Sequence, residues 1–246
     1  MVFFLGDGMG ITTLTAARIY AVGEDGQLPI DQLPVSAFVR TFSKDAQIRD
    51  SAPSMGAYMT GVKMKNELIS METGTIAVEL NQAGNHQCGS NPQNQNKQDT
   101  QTLLELAKAR GWGTGVVTTT RITHATPAST YVHICHRDAE NDIASPLVPS
   151  SQGDIYQCYN VKLKDGVDVI LGGGKRQFLQ KDQGGERIDQ RNLIAEMQQA
   201  GYPMVYDQTQ LSPMKLGMNE KLLGLFNTSH LSYDLNRTKK TCLKLA

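Results

Sequence analysis

Short runs rich in apolar and β-branched residues constrain the fold of this chain more than any other feature. They lie at residues 115–120, 167–171 and 222–226, and the second ends at a run of glycines. Runs of this length and composition are typical of strands buried in a parallel sheet. A helical apolar spacing at 102–110, ended by Gly111, precedes the run at 115–120, which is the order of a βαβ unit. We therefore predict an α/β fold with a mainly parallel central sheet flanked by helices on both faces.

The same patterns predict further elements along the chain. The apolar run at 2–5 is typical of a buried strand, and 204–206 of a shorter one. The alternation at 35–42 predicts a half-buried strand. Helices are predicted at 11–21 and at 193–200, the second ending before a glycine.

Charge and hydropathy exclude two classes of partner. The 246 residues contain 24 Lys and Arg and 24 Asp and Glu, so no basic surface for nucleic acid is expected. No apolar run approaches the ~18 residues that a membrane-spanning helix needs. The chain opens on the apolar run at 2–5 without a basic segment or cleavage site, so no signal peptide is visible and a missing leader is expected.

The stretch 48–54 is the strongest candidate for chemistry. Ser51 follows Asp50, and a short helical run ending at Gly61 follows Ser51. If Ser51 lies in the first turn of that helix, free backbone N–H groups surround its hydroxyl and favour an oxyanion or phosphate. The alternative is that Ser51 is an ordinary N-cap residue.

Two further polar clusters follow predicted strands. Asp7 follows the run at 2–5, where open α/β sheets bind ligands, although a turn aspartate that caps the next helix is equally consistent. The segment 121–127 follows the strand at 115–120, and a helix after it is predicted to carry His133, His136 and Arg137. A zinc site formed by His133 and His136 would lack an obvious third ligand, so the alternative is that both are ordinary surface histidines.

Two other motifs are ambiguous by themselves. Residues 172–176 resemble a phosphate loop but lack the spacing of one, so a glycine-rich turn is the better interpretation. Among the four cysteines, Cys88 and Cys158 lie in polar loops, and no pair has zinc-finger spacing. They form either a disulfide or two free thiols, depending on the compartment.

Several of these stretches together resemble the amino-terminal half of an alkaline phosphatase. The resemblance covers residues 2–237 and predicts a partial alkaline phosphatase domain at 1–237 with an unmatched tail at 238–246. The tail leads us to expect a truncation, a frameshift or a fragment of a longer protein. The matching motifs lie at 3–10, 50–52, 116–121, 124–127, 137, 168–174 and 222–226.

The resemblance implies a role for each matched residue. Ser51 resembles the nucleophile that forms a phosphoserine and contacts zinc, and Asp50 the carboxylate that orients the phosphate-binding arginine. Arg137 resembles that arginine, whose planar fork binds two phosphate oxygens. Asp7 resembles a carboxylate shared between zinc and magnesium, and Thr126 a magnesium ligand.

Three more positions follow from the resemblance. His124 occupies a position beside the metal ligands at which family members have Asp or His. Cys88 and Cys158 match a disulfide pair of secreted animal-like members.

The resemblance also implies cofactors, an assembly and a location. The family uses two Zn²⁺ and one Mg²⁺ to hydrolyse phosphomonoesters, and zinc lowers the pKa of the attacking serine. Full-length members are expected to be homodimers in the periplasm or secreted. Asp7, Ser51 and Thr126 are too few ligands for these metals, so the isolated chain is expected to be nearly inactive. The alternative function is a non-catalytic fragment. A sulfatase or phosphodiesterase of the same superfamily fits the motifs less well.

Overall fold

The computed structural model of the chain describes residues 1–81, 88–95, 99–149, 160–215, 217 and 220–236. The chain divides into two compact units, Met1–Thr41 and Phe42–Ala246. The predicted boundary at 237 concerns residues outside the described part of the chain, and it stays a prediction.

The unit Met1–Thr41 is built on helix α1 (Ile11–Val22), which confirms the helix predicted at 11–21. A short 3₁₀ helix, Pro29–Gln32, follows it, and Arg18 pairs with Asp31 through two side-chain hydrogen bonds of 2.9 and 2.5 Å. The structure forms no strand at 2–5 or at 35–42, so both of these predictions are wrong. A strand needs a neighbour for its backbone N–H and C=O groups, and no strand exists in residues 1–41 to provide one.

The unit Phe42–Ala246 contains a four-stranded sheet in which every pairing is parallel. The spatial order is β1-β2-β4-β3. In register, Val117 of β1 lies beside Leu171 of β2, which lies beside Gly224 of β4. The predicted parallel sheet is therefore confirmed, and its strands lie within two residues of the predicted bounds. The strands are β1 (Gly115–Arg121), β2 (Val169–Gly173), β3 (Met204–Val205) and β4 (Leu222–Leu225).

Helices lie around this sheet, and capping side chains explain where several begin. Thr102 caps the helix after it by a reciprocal hydrogen-bond pair with Glu105, and Asn192 caps a later helix through Ala195 N–H. In the described residues, no helix has the length and hydropathy needed to cross a membrane. The helices are α2 (Ser51–Thr60), α3 (Leu103–Ala109), α4 (Ala125–Ala128), α5 (Glu140–Ala144), α6 (Leu193–Gln199) and α7 (Gln208–Leu211). The short 3₁₀ helices of this unit are Cys88–Ser90, Pro92–Asn94, Ser145–Leu147, Val161–Leu163, Lys175–Gln177, Lys181–Gln183 and Asp234–Asn236.

The main core joins the sheet to the helices that follow its strands. Ile170 of β2 and Leu223 of β4 are fully buried, and Ile122, just after β1, is buried in the same cluster. Two buried tyrosines place their hydroxyls on backbone carbonyls, as buried tyrosines require. Tyr131 donates to Ile122 O at 2.8 Å and Tyr202 to Val167 O at 2.7 Å.

The glycine-rich segment 172–176 is only partly the predicted turn, because Gly172 and Gly173 are the last residues of β2 and a 3₁₀ helix begins at Lys175. Gly174 has a φ of 91°, which L side chains rarely adopt. A Cβ on Gly173 would lie 2.0 Å from the carbonyl oxygen of Ser229, so the backbone after β4 approaches too closely for any other residue. The N–H of Gly174 donates to Asn227 O at 3.0 Å, which extends the pairing between these segments.

The helix predicted to carry His133, His136 and Arg137 does not form. Helix α4 ends at Ala128, and Ile134 instead makes an antiparallel bridge with Ile69. Two backbone hydrogen bonds of 3.0 Å close this bridge, and a β-branched residue suits such an extended position. Long-range pairing thus overrides the helical spacing read from the sequence.

The structure also changes the predicted disulfide. Cys88 is bonded to Cys135, whose side chain is fully buried, with a Cα–Cα distance of 5.4 Å. Because one cysteine forms one disulfide, this pairing replaces the one predicted between Cys88 and Cys158. Cys158 itself lies outside the described residues. The sequence showed that Cys88 lies in a polar loop, but it gave no reason to pair Cys88 with a buried cysteine such as Cys135.

Candidate active site

Asp50 and Ser51 begin helix α2. Asp50 is the N-cap, and its Oδ1 accepts a hydrogen bond of 3.1 Å from Ala52 N–H. Ser51 is the first helical residue, so the alternative in which Ser51 caps the helix is wrong. Gly61, with a φ of 74°, ends the helix in the left-handed conformation, as predicted. The Ser51 hydroxyl is thus free of a capping role.

The helix N-terminus offers fewer backbone donors than predicted. Ala52 N–H is occupied by Asp50 Oδ1, and Ser54 N–H donates to Asp50 O at 3.2 Å. Pro53 has no N–H at all. Only the N–H of Ser51 is left among the first four residues, so backbone groups alone do not make an anion site here. Because Pro53 is evident in the sequence, this shortage of free N–H groups could have been predicted.

Arg137 supplies the positive charge at Ser51. Its Nη1 donates to Ser51 Oγ at 3.0 Å and also hydrogen bonds to Asp50 Oδ1. The other oxygen of Asp50 accepts from Glu67 N–H at 2.7 Å. Asp50 is therefore held by helix α2, by Glu67 and by Arg137 at once. The structure brings together Ser51, Arg137 and Asp50, the three residues predicted as catalytic.

His124 contacts this cluster, and Thr126 lies on a helix that packs against helix α2. His124 Nε2 is 3.3 Å from Arg137 Nη2, so it accepts a weak hydrogen bond from the guanidinium. His124 is the N-cap of helix α4, which carries Thr126 and packs against helix α2. Ser129 Oγ donates to Ala52 O at 3.3 Å, which ties the two helices together.

A second polar network, which sequence reasoning missed, adjoins His124. The His230 ring lies 5.3 Å from that of His124, edge to face. Arg121 Nη1 is 2.6 Å from His230 Nε2, and the same guanidinium contacts both oxygens of Glu140. Burial and the charge of Arg121 lower the pKa of His230. Although burial opposes ionisation of Glu140, hydrogen bonds from Arg121 and Thr123 hold the pKa of this carboxyl below its ordinary value.

His133 and His136, which the sequence suggested as a zinc pair, have different partners in the structure. His133 has a nearly buried side chain, so it is not a surface histidine, and its Nε2 is 2.6 Å from Glu105 Oε1. Although burial opposes ionisation of Glu105, hydrogen bonds from His133 and Asn160 hold its pKa below the ordinary value. His133 Nδ1 lies 2.7 Å from Ser70 O, so His133 joins helix α3 to the segment at Ser70.

His136 belongs to a different cluster. Ligand atoms of Glu67, His136 and Asp138 all lie within 4.8 Å of one another. Burial is the main cause that raises the pKa of Glu67, and the negative charges of Asp50 and Asp138 add to it. The sequence showed His136 and Asp138 but gave no sign that Glu67 lies beside them.

The potential metal ligands that the structure groups together are different from the residues matched to the family's ligands. Across the ranges the structure describes, Glu67, His136 and Asp138 are the only group of three or more His, Cys, Asp or Glu with ligand atoms this close. That group contains none of Asp7, Ser51 or Thr126. Catalytic zinc usually has three protein ligands, so we assign no reaction step to a metal at Ser51.

The fold and the cluster define a class of protein. A parallel α/β sheet, a serine at a helix start and an arginine on its hydroxyl are the elements of a site for an anionic, phosphate-like group. The chain belongs to the alkaline phosphatase family, whose sequence model matches residues 1–246.

Curated relatives support this assignment over nearly the whole chain. The alkaline phosphatase of Gadus morhua is 32% identical over 265 residues, which cover 98% of this chain and 53% of that protein. The membrane-bound alkaline phosphatase of Bombyx mori is 35% identical over 268 residues, covering 98% of this chain and 46% of that protein. The chain therefore spans about half the length of the curated relatives it matches.

Solved structures agree on the fold. A cold-active alkaline phosphatase from the psychrophile Shewanella sp. matches with a TM-score of 0.69 at 26% identity, over 95% of this chain and 47% of that one. The alkaline phosphatase of the Antarctic bacterium TAB5 matches with a TM-score of 0.62 at 21% identity, over 91% and 52%. The predicted fold class, that of an alkaline phosphatase, is confirmed.

Proposed function

We propose that this chain contributes the nucleophile and the phosphate clamp of a phosphomonoesterase. The single observation that carries the proposal is the contact of 3.0 Å between Arg137 Nη1 and Ser51 Oγ. A cation that donates to the hydroxyl oxygen stabilises the alkoxide over the alcohol, which favours attack on phosphorus. Family membership supports the same chemistry.

The proposed reaction runs through a phosphoserine. Ser51 Oγ loses its proton and attacks phosphorus, the bond from phosphorus to the ester oxygen breaks, and the alcohol leaves with a proton. Water then attacks the phosphoserine, which releases inorganic phosphate and restores the Ser51 hydroxyl. The net change is one phosphomonoester and one water to one alcohol and one phosphate.

Arg137 and Asp50 have separate roles in this proposal. Arg137 binds oxygens of the phosphoryl group, and its planar fork suits two of them at once. Asp50 holds the guanidinium in place, since its own position is fixed by Ala52 N–H and Glu67 N–H. His124, which accepts from Nη2, restrains the other end of the guanidinium.

The metals remain part of the proposal at the level of the family. We propose two Zn²⁺ and one Mg²⁺, with Asp7, Ser51 and Thr126 as the ligands that this chain supplies. Zinc at the serine oxygen and at the ester oxygen would supply charge that one guanidinium does not. These three residues are fewer than such metals need, so further ligands are required. We also propose the homodimer and the periplasmic or secreted location, which the disulfide between Cys88 and Cys135 supports.

Trapping of the phosphoserine tests the proposal. A full-length protein that contains this sequence is incubated with p-nitrophenyl phosphate, quenched in acid and mapped by mass spectrometry. The expected result is phosphate on the peptide that contains Ser51, and none on that peptide in Ser51→Ala. The matched control is Ser54→Ala on the same helix, whose hydroxyl donates to Asp50 O at 2.8 Å and should not be needed for trapping. Undiminished trapping in Ser51→Ala would refute the nucleophile assignment.

One observation favours a second candidate, a non-catalytic phosphate-binding module. The only cation on the Ser51 hydroxyl among the described contacts, Arg137, also hydrogen bonds to Asp50. Its charge is thus partly neutralised before any phosphate binds. Such a site would retain phosphate weakly without turning an ester over.

A further inference from the structure

We propose that Glu67, His136 and Asp138 bind a divalent transition-metal ion such as Zn²⁺ beside the phosphate clamp. This site is separate from Asp7, Ser51 and Thr126, and it does not depend on the proposed function. It uses residues from two segments that are distant in sequence.

Backbone pairing brings the two segments together. Ile69 and Ile134 exchange two hydrogen bonds of 3.0 Å in an antiparallel bridge. Glu67 lies two residues before Ile69, in a turn with a φ of 69°, and His136 lies two residues after Ile134, so the bridge brings both close to one place. The bond between Cys88 and Cys135 anchors the residue just before His136. The ligand atoms are therefore held close by the fold before any ion arrives.

The donor set suits a borderline-soft divalent ion. One imidazole nitrogen and two carboxylate oxygens within 4.8 Å of one another match the three protein ligands of an open zinc site, which leaves a position for water. Imidazole disfavours Mg²⁺ and Ca²⁺, which prefer oxygen ligands alone. At present His136 Nδ1 accepts from Asp138 N–H at 3.1 Å, and this exposed hydrogen bond is replaced by one to water when the imidazole binds metal.

The charges around the cluster also favour a cation. Glu67, Asp138 and Asp50 bring three carboxylates to this region. Arg137 is the nearby guanidinium, and it is engaged by Asp50 while its Nε lies 4.0 Å from Asp138 Oδ1. A divalent ion would balance the carboxylates that Arg137 leaves uncompensated.

The ion would stabilise the phosphate clamp indirectly. Glu67 N–H holds Asp50 Oδ2 at 2.7 Å, and Arg137 lies in sequence between His136 and Asp138. A metal bound to all three ligands would fix the backbone on both sides of the ion pair between Asp50 and Arg137. Glu67 and its partners are thus positioning residues for Arg137.

Imidazole nitrogen NMR tests the site directly. The chain has five histidines, so ¹H–¹⁵N long-range spectra of the ¹⁵N-labelled protein resolve few signals, and His136→Asn assigns the relevant one. On titration with Zn²⁺ alone, we expect a saturable shift of the His136 nitrogens. Glu67→Gln and Asp138→Asn should weaken Zn²⁺ binding at His136 by at least ~10-fold. The matched control, Glu79→Gln at an exposed position, should leave it unchanged.

The same spectra also show the results that would overturn the proposed metal site. The buried His133 signal reports whether each variant is folded, so loss of folding is not mistaken for loss of binding. His136 nitrogens that stay unshifted at saturating Zn²⁺ would overturn the proposal, including the case in which only His124 or His230 responds. Equal Zn²⁺ affinity at His136 in the wild type, Glu67→Gln and Asp138→Asn would overturn it as well.

Discussion

The Nη1 nitrogen of Arg137 lies 3.0 Å from Ser51 Oγ, although the two residues are 86 positions apart in the chain. The contact exists because Asp50, the cap of helix α2, also binds the same nitrogen. One carboxylate therefore both starts the helix that carries the serine and orients the arginine that contacts it. The site couples local capping to a long-range ion pair.

Arg137→Lys should weaken phosphate binding without removing the positive charge. Lysine offers a point charge in place of a planar fork, so one hydrogen bond to an anionic oxygen is lost. A hydrogen bond to a charged group is worth ~1.5–3 kcal/mol, which corresponds to ~10–150-fold in affinity. Inhibition of the full-length enzyme by inorganic phosphate measures this change.

Arg176→Lys is the matched control for that measurement. Arg176 pairs with Glu186 at 3.3 Å, and its replacement should leave phosphate affinity unchanged. Equal phosphate affinity in wild type and Arg137→Lys would show that the fork of Arg137 does not bind phosphate.

Glu140 should make stability depend on acid pH. Although burial opposes its charge, Arg121 and Thr123 lower the folded-state pKa of Glu140 below its ordinary value of 4.5. A lowered folded-state pKa means that the stabilisation is fully present above 4.5 and is lost as the pH falls through the folded-state pKa. Glu140→Gln should lower the free energy of unfolding at neutral pH by roughly 3 kcal/mol, the lower end for breaking a buried pair.

Urea unfolding between pH 3 and pH 7 checks this expectation. The Glu140→Gln curve should approach the wild-type curve as the pH falls, because acid removes the same interaction in the wild type. Asp31→Asn, which breaks the exposed pair with Arg18, is the control and should change little. A constant difference between Glu140→Gln and wild type at all pH values would contradict the assignment.

The disulfide gives a prediction on which the structure and the family resemblance differ. Peptide mapping without reduction, after expression in an oxidising compartment, should join Cys88 to Cys135. The cysteines are separated by 47 positions, so the link would stabilise the fold by about 4 kcal/mol in the chain-entropy model. Cys135→Ser should therefore melt at a lower temperature than Cys242→Ser. A peptide that joins Cys88 to Cys158 would instead restore the pairing implied by the resemblance.

The sheet was predictable because its signal is local. The runs that became β2 and β4 are almost entirely buried, and near-continuous apolar runs of this kind are recognisable in the sequence. The run that became β1 is only partly buried, and its β-branched residues predicted the strand. The run at 2–5 is entirely apolar and still forms no strand, since its own unit contains no strand to pair with. Composition thus indicates the capacity to form a strand but not the presence of a partner.

The site was predictable only where motifs mark it. Asp50, Ser51 and Arg137 were found through the resemblance, and the structure brings them together. Glu67 and His230 carry no local signal. Glu67 meets His136 through the bridge of Ile69 with Ile134, and His230 meets Arg121 across 109 positions. Pairings of this kind arise only in three dimensions.

The isolated 246-residue chain should show little or no phosphatase activity, even with Zn²⁺ and Mg²⁺ supplied. Asp7, Ser51 and Thr126 are too few ligands for two zinc ions and a magnesium ion, each zinc usually needing three protein ligands. Without zinc, Arg137 must neutralise the phosphate dianion while it is also paired with Asp50. The purified chain, freed of host phosphatase, is assayed with p-nitrophenyl phosphate against Ser51→Ala as the background control. Turnover on the order of 10 per second in the chain but not in Ser51→Ala would show that the ligands have been misassigned.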